Sequence, residues 1–458
     1  MESWVAHELA GGTFPDARLK TRLGRLLGDL GDRIGGTLPM ACQDWAATKA
    51  AYRVFDDERI DDGVILAGHV AATAARFAAV PGTVLVLHDT TAFSVTRNTP
   101  DGVGHLSYVK GRHGTHTACG LLMHSRLVLT TDGTPLGLAA AQFWSRKGFK
   151  GTHARERVIN PTTVPIEEKE SYRWLTNVTE STRALGVPGR CVHIGDRGGD
   201  TFELFHAAHA ARTHFLTRTA VDRLAGQGRT TGAKVMRRQP VRGTHQVEVR
   251  DDRGNVSTAT VHVRFCRLTI HPPPGKRKRY GPLSLTVIHA IERGRPTDRE
   301  PIRWKLLTDL TVDDLATAVE KLDWYAMRWK VESFHKVLNS GCRAEQSKLR
   351  TTARLTNLLA VLCVVGWRVF WLTTTSRATP DAPPEVAFTP AEIAVLDTVA
   401  CGSPVQRTVC HYRGEVAKLG GYLARASDPP PGNMVVWRGL TRLADILRGY
   451  ELNADSCG

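Results

Sequence analysis

The sequence predicts an α/β protein, with a strand-and-helix core interrupted by a β-rich insertion and flanked by helical segments at both ends. Three observations predict it. Short continuous apolar runs, two of them closed by an aspartate, alternate with helical periodicity through the first half of the chain. A turn-rich stretch of strand-like alternation then breaks that pattern. Both ends of the chain carry the 3.6-residue apolar period of helices.

Composition bounds what such a protein does. With 458 residues the chain has room for two to four domains, and 42% hydrophobic residues supply real cores, which excludes disorder throughout. The most apolar stretch, Leu355 to Leu372, is interrupted by Arg368 and contains Trp367 and Trp371, so it reads as a buried helix and no membrane partner is expected. The opening residues lack the basic and apolar regions of a signal peptide, and the nine cysteines never form a CxxC pair. Reduced thiols and a cytoplasmic, nucleoid-associated location in a bacterium are expected. An excess of 61 Lys and Arg over 45 Asp and Glu, a net charge of +16, favours a polyanion such as DNA as partner.

The elements follow in order. Residues 1–70 form a small basic helical domain, in which Leu19, Leu23, Leu26, Leu27 and Leu30 share one face; a second helix runs from about Asp44 to Phe55, without a clear helix-turn-helix signature. Thr83 to His88 reads as a buried strand ending at Asp89. Cys119 to Thr130 and Pro135 to Phe143 read as a hairpin turned at Asp132-Gly133. A helix follows from about Glu167 to Leu185, then a strand from Arg190 to Gly195 ending at Asp196, a helix from Thr201 to Ala211 and a strand from His214 to Thr219. This order is what a ribonuclease H-like core would show. The β-rich insertion spans about 221–303 and includes the basic loop Lys276 to Arg279. Helical periodicity returns from Val312 to Ser340 and from Arg350 to Leu372, which closes the core domain at 71–372. Residues 373–384 read as a linker into a helical domain at 373–458.

Asp89 and Asp196 each close an apolar strand, where a carboxylate is well placed for a divalent metal, although aspartate also commonly ends strands as a turn residue. Tyr325, Arg328, Glu332, Lys336 and Asn339 step by three, four, four and three, which places them on one face of a single helix. An acid between cations suits a metal carboxylate flanked by phosphate-binding groups. An ordinary solvated face with Arg328–Glu332 and Glu332–Lys336 pairs fits the same spacing. Asp200, the rival of Asp196, reads as a helix cap. The histidines from His105 to His124 lack zinc-site spacing, and Gly195 to Asp200 does not match a phosphate-binding glycine loop. The Lys276 to Arg279 loop reads either as a solvated run or as a grip on DNA phosphates.

These residues carry a resemblance. The pattern from Tyr325 through Arg328, Trp329, Glu332 and Phe334 to His335 and Lys336 resembles the signature of DDE transposases of the insertion-sequence-four family, the group that contains the transposon-five transposase. Lys49-Ala50-Ala51-Tyr52-Arg53, Asp89-Thr90-Thr91, Asp196-Arg197, Trp304 to Thr308 and Leu419-Gly420-Gly421-Tyr422 are similar to that family in the same order, over essentially the whole chain. The resemblance implies a cut-and-paste transposase: a DNA-binding domain, a ribonuclease H-like catalytic core and a dimerisation domain. It implies Asp89, Asp196 and Glu332 as the catalytic triad holding two Mg²⁺ ions, with Mn²⁺ as a substitute. Tyr325, Arg328 and Lys336 would hold phosphates of the transposon end, and Trp304 would receive an unstacked base. Arg218, Lys348, Tyr52 and Arg53 are the further expected DNA contacts. A homodimer would pair two ends. The family has a lysine seven residues after the glutamate, and this chain has Asn339 there. The alternatives are a metal-dependent DNA nuclease without joining activity and an inactive DNA-binding regulator of the parent element.

Overall fold

The computed structural model describes residues 4–96, 102–111, 114–146, 166–250, 256–294, 296, 297, 299–400 and 407–456. It has a mixed α/β architecture, with one large mixed sheet and helices at both ends of the chain.

The N-terminal helices are α1 (Trp4–Leu9), α2 (Ala17–Asp32), α3 (Leu38–Cys42), α4 (Trp45–Asp56) and α5 (Asp62–Ala79). Capping side chains fix where four of them begin: Asp16, Thr37, Asp44 and Asp61 each accept a first-turn backbone N–H. The leucine face of α2 is buried as its period predicts.

The central strands are β1 (Val84–Val95), β2 (His105–Gly111), β3 (Gly114–Thr130), β4 (Pro135–Trp144), β5 (Cys191–Gly195) and β6 (His214–Arg218), with α6 (Tyr172–Leu185) before β5 and α7 (Phe202–Ala210) after it. β2 and β4 both pair with β3, β3 runs antiparallel to β1, and β1, β5 and β6 are parallel. The chain then adds β7 (Leu224–Ala225), β8 (Thr230–Thr231), α8 (Gly232–Arg238), β9 (Gly243–Arg250), β10 (Val256–Ile270), β11 (Leu283–Glu292) and β12 (Arg303–Thr308). β12 pairs with β6, so this β-rich stretch continues the same twelve-stranded sheet.

The first strand differs from its predicted end. β1 does not stop at Asp89 but runs to Val95, because its pairing with β3 continues to Val95 while its pairing with β5 extends only to Leu87. The end of the apolar run marks where burial on both faces ends, not where the strand ends. The predicted helix from Val312 to Ser340 is also divided. It consists of α9 (Leu315–Ala326), a turn at Met327 and Arg328, α10 (Trp329–Lys336) and a π-helical turn over Val337–Gly341. Tyr325 and Glu332 are therefore on different helices, and Asn339 lies in the π turn.

Next comes α11 (Thr352–Ala378), which takes in the first residues of the predicted linker. Thr373 stays helical and buried by bonding its hydroxyl to the Val369 carbonyl at 2.9 Å. By length and composition α11 could cross a membrane, but 83% of its most apolar window is buried inside the protein. The chain ends in α12 (Pro390–Val399), α13 (Val409–Leu419) and α14 (Asn433–Ser456). Trp437 of α14 donates its indole N–H to the Ile34 carbonyl at 2.7 Å, and one apolar core runs from α2 through the sheet and α11 to α13 and α14.

Candidate active site

Parallel pairing delivers two acids to one place. β1 and β5 align Val84 with Cys191 and Leu87 with Ile194. Continued by two residues, that register sets Asp89 beside Asp196, at the point where β5 ends and β1 goes on. Oδ1 of Asp89 accepts the Thr90 N–H at 2.8 Å, and Oδ1 of Asp196 accepts the Gly198 N–H at 2.8 Å in the turn after β5. Thr217 donates to the Asp196 carbonyl at 3.1 Å, which ties this turn to β6. Asp200 is not the cap of α7, since Thr201 takes that place. It is buried instead, paired with Arg223 at 2.6 Å and accepting the Ala220 and Val221 N–H groups, which leaves Asp196 as the available acid.

Glu332 reaches the same point through Arg328. The Arg328 guanidinium lies 3.6 Å from Asp89 and hydrogen-bonds the Glu332 carboxylate one helical turn away. It also hydrogen-bonds Tyr325, whose hydroxyl pKa is raised by burial against the lowering effect of Arg328 and Arg218. The carboxyl of Asp89 is pushed up to about 6, first by burial, which the Thr90 N–H and Arg328 oppose, and then by Asp196 and Glu332. Asp89 and Glu332 thus share one cation, with Asp196 acting on Asp89 beside it. Among the described residues no three His, Cys, Asp or Glu side chains are grouped to hold a metal ion. Glu332, half exposed, is turned onto Arg328.

Beside the acids lies a groove of about 600 Å³, lined by Arg218, Gln246, Trp304, Tyr325, Arg328 and Trp329 among others. Trp304 is half-buried and meets Tyr325 edge-on, with ring centroids 5.3 Å apart. Arg218 donates to the Arg303 carbonyl at 3.2 Å. Asp89, Asp196, Glu332, Tyr325, Arg328, Arg218 and Trp304 therefore belong to one neighbourhood. Lys336 is exposed on α10, and the Asn339 amide donates to the Thr91 hydroxyl at 3.3 Å, with its own oxygen buried and unpartnered. Tyr52 and Lys348 line a separate cleft between the α2–α3 turn and the segment after the π turn, while Arg53 is exposed on α4. In the basic loop, Lys276 pairs with Glu203 and Arg279 with Glu167.

Sequence reasoning missed the polar layer on the other face of β1. There Thr90 meets His124 at 2.8 Å, His124 meets His88 at 3.3 Å, His88 meets His193 at 2.8 Å and His193 meets Thr182 at 3.0 Å. Each neutral imidazole donates once and accepts once, so the hydrogen bonds of this chain point in one direction. Burial, reinforced by the neighbouring rings and Arg126, holds His88 well below the ordinary range. His124 is held down by burial and then by Arg126, and His193, for the same reasons, sits at about 3. Trp174 packs on the His88 and His124 rings and against Gly195, Gly198 and Gly199, where a Cβ would meet the indole at 2.8 to 3.2 Å. The signal was present as lone histidines within apolar strands, which burial obliges to find partners.

A family model described as transposase DNA-binding matches residues 1–60, the segment from α1 through α4. This supports a transposase that binds DNA. It does not extend to the carboxylate neighbourhood.

Proposed function

We propose that the chain is a metal-dependent DDE transposase that binds the ends of its element, excises it and joins it to target DNA. One arrangement carries this reading: the β1–β5 register, continued past its last pair, sets Asp89 beside Asp196 in the turn after β5, and Arg328 pairs with both Asp89 and Glu332, in a chain whose first 60 residues match a transposase DNA-binding model. The strand order β4-β3-β1-β5-β6, antiparallel and then parallel, supports a ribonuclease H-like core.

The donor set fits hard divalent cations. It consists of carboxylate oxygens, and the Asp89 carboxyl, raised first by burial and then by Asp196 and Glu332, is a site where a cation relieves both. Asp89, Asp196 and Glu332 would hold two Mg²⁺ ions, with Mn²⁺ as a substitute, which when bound supply an activated oxygen nucleophile and stabilise the leaving oxyanion. The protein's own groups do the rest. Arg328 neutralises Asp89 and Glu332 in this structure; a DNA phosphate offers it a competing bidentate partner, and moving to that partner frees both carboxylates. Tyr325 keeps the guanidinium in place. The groove between Trp304, Tyr325 and Trp329 accepts the face of an unstacked base, and Arg218 at its edge accepts a phosphate. Two ends joined in one synapse call for a homodimer.

The test uses a duplex carrying one element end. Asp89→Ala, Asp196→Ala and Glu332→Ala should each bind it like the wild type and fail to nick it. Nicking retained by any of the three removes that residue from the site.

A further inference from the structure

Three basic side chains stand in a row on the face of the sheet turned away from the Trp304 groove. The pairing of β10, β11 and β12 sets Arg264 opposite His289 and His289 opposite Lys305. Residues directly opposite one another point to the same face, about 5 Å apart, where like charges are destabilising. Trp304 and Lys305 are consecutive in β12, so they project to opposite faces. Among the described residues neither Arg264 nor Lys305 pairs with an acid, and Arg264 gives its Nε–H to the Gln239 carbonyl at 3.1 Å.

His289 and Lys305 line a cavity of about 150 Å³ together with Thr219, Asp222 and Arg223. His289 is only 8% exposed, and among the described residues nothing hydrogen-bonds its ring. Burial, then Lys305 and Arg264, hold that ring down to about 4 against the opposing effect of Asp222, so it is a neutral imidazole with one N–H to give. The other charged groups in the wall are already engaged: Asp222 accepts the Ala233 N–H at 2.9 Å, and Arg223 is paired with Asp200. Lys305 is therefore the uncompensated charge, and the buried imidazole beside it is costly until a ligand completes its hydrogen bonds. The cavity also lies close to the acids, because Asp200, four residues after Asp196, accepts the N–H groups of Ala220 and Val221 in its wall.

We propose that this cavity seats a phosphate group, held by the Lys305 ammonium and the His289 N–H, with the Thr219 hydroxyl beside them. The donor set is what an oxyanion needs: a lysine acts on phosphate as a point charge, and a neutral imidazole adds a directed hydrogen bond. A metal cation in the same place would meet Lys305 and Arg264. The volume is that of about five water molecules, enough for a tetrahedral oxyanion and too little for a nucleoside. The phosphate comes either from a DNA backbone or from solution. The DNA source rests on the transposase reading: a strand laid across the ends of β6 and β12 would meet Trp304 and Arg218 on one face of the sheet and Lys305 and Thr219 on the other.

The experiment titrates inorganic phosphate into the full-length protein by isothermal titration calorimetry, without DNA or metal, against chloride at equal ionic strength. Saturable binding is expected, weakened about 10-fold or more in Lys305→Met, whose side chain is exposed and bears no core contact. His289→Leu should lose it as well, with a urea midpoint at or above that of the wild type, because the ring has no partner in the fold to lose. Wild-type heats no different from chloride, or equal binding by all three proteins, overturn the proposal. An end duplex measured across a salt series then reads the source. If the phosphate belongs to DNA, Lys305→Met reduces the salt slope by about one, and a single neutral methylphosphonate weakens the wild type at one position where it has no further effect on the variant. If it belongs to solution, wild type and variant bind the duplex alike and phosphate does not compete with it. A wild type that takes phosphate yet never nicks an end keeps the cavity assignment and removes the transposase reading; nicking without phosphate binding does the reverse.

Discussion

The two faces of β1 treat polar groups in opposite ways. On one face Asp89 is partly open, near Asp196 and Glu332, and is kept in place by a single arginine it shares. On the other, His88 is sealed in a chain of imidazoles held neutral by burial. The imidazole chain completes its hydrogen bonds internally, whereas on the open side Asp89 and Glu332 share one guanidinium and Asp196 stands beside Asp89. A surplus of like charge at the end of paired strands, next to an aromatic groove, marks the side built to receive something. The chain of neutral imidazoles links β1, β3, β5 and α6 beneath it.

The largest expected effect breaks the open face. Asp89→Ala or Asp196→Ala should reduce nicking of an end duplex by on the order of 10⁴-fold, measured as single-turnover rates, with binding preserved. A pH series tests the sealed face. Burial holds His193 at about 3, so as pH drops below the ordinary histidine value near 6.5 the unfolded chain takes up protons that the folded chain refuses. Stability should be full above that value and fall by about 1.4 kcal/mol per pH unit for this ring down to about pH 3. Urea unfolding at pH 7, 6 and 5 reads this directly, and an unchanged midpoint would show that the ring is not buried.

A third, smaller effect joins the two faces. His193→Leu leaves His88 and Thr182 without their partners and should cost about 1 to 3 kcal/mol of stability, while nicking well below the melting temperature persists. Loss of nicking in a folded His193→Leu protein would mean that the layer also positions the acids. For the shared arginine, Arg328→Ala should let Mn²⁺ bind without DNA, seen by electron paramagnetic resonance as loss of the free-ion signal at lower protein concentration. Equal binding by wild type and variant would show that Arg328 does not guard the carboxylates. The smallest effect is expected for Trp304→Ala, which should slow a step after first nicking by about 10-fold and spare the nick itself.

Much of the open face was legible in the sequence, because apolar runs ending in Asp89 and Asp196 leave few places for those acids to go. The leucine face of α2 likewise follows from helical period alone. What local pattern could not give was continuity. The extension of β1 past Asp89 depends on β3, a partner distant in sequence, and the break at Met327 and Arg328 interrupts a helix whose period looks unbroken. Arg328 sits at that break and still reaches Glu332 one helical turn on, while Asp89 joins them only through the sheet. The imidazole chain was hidden for the same reason: its members come from β1, β3 and β5, and only the sheet brings them together.

Incubating the purified protein with a plasmid carrying both ends of its element, in Mg²⁺, Mn²⁺ or EDTA and alongside Asp196→Ala, tests the DDE transposase proposal in one reaction. Excision and joined products are expected with either metal, none in EDTA and none from the variant. End binding without cleavage in either metal would contradict it and favour a DNA-binding regulator, with Asn339 the first residue to change to lysine. Cleavage without joined products would reduce the activity to that of a nuclease.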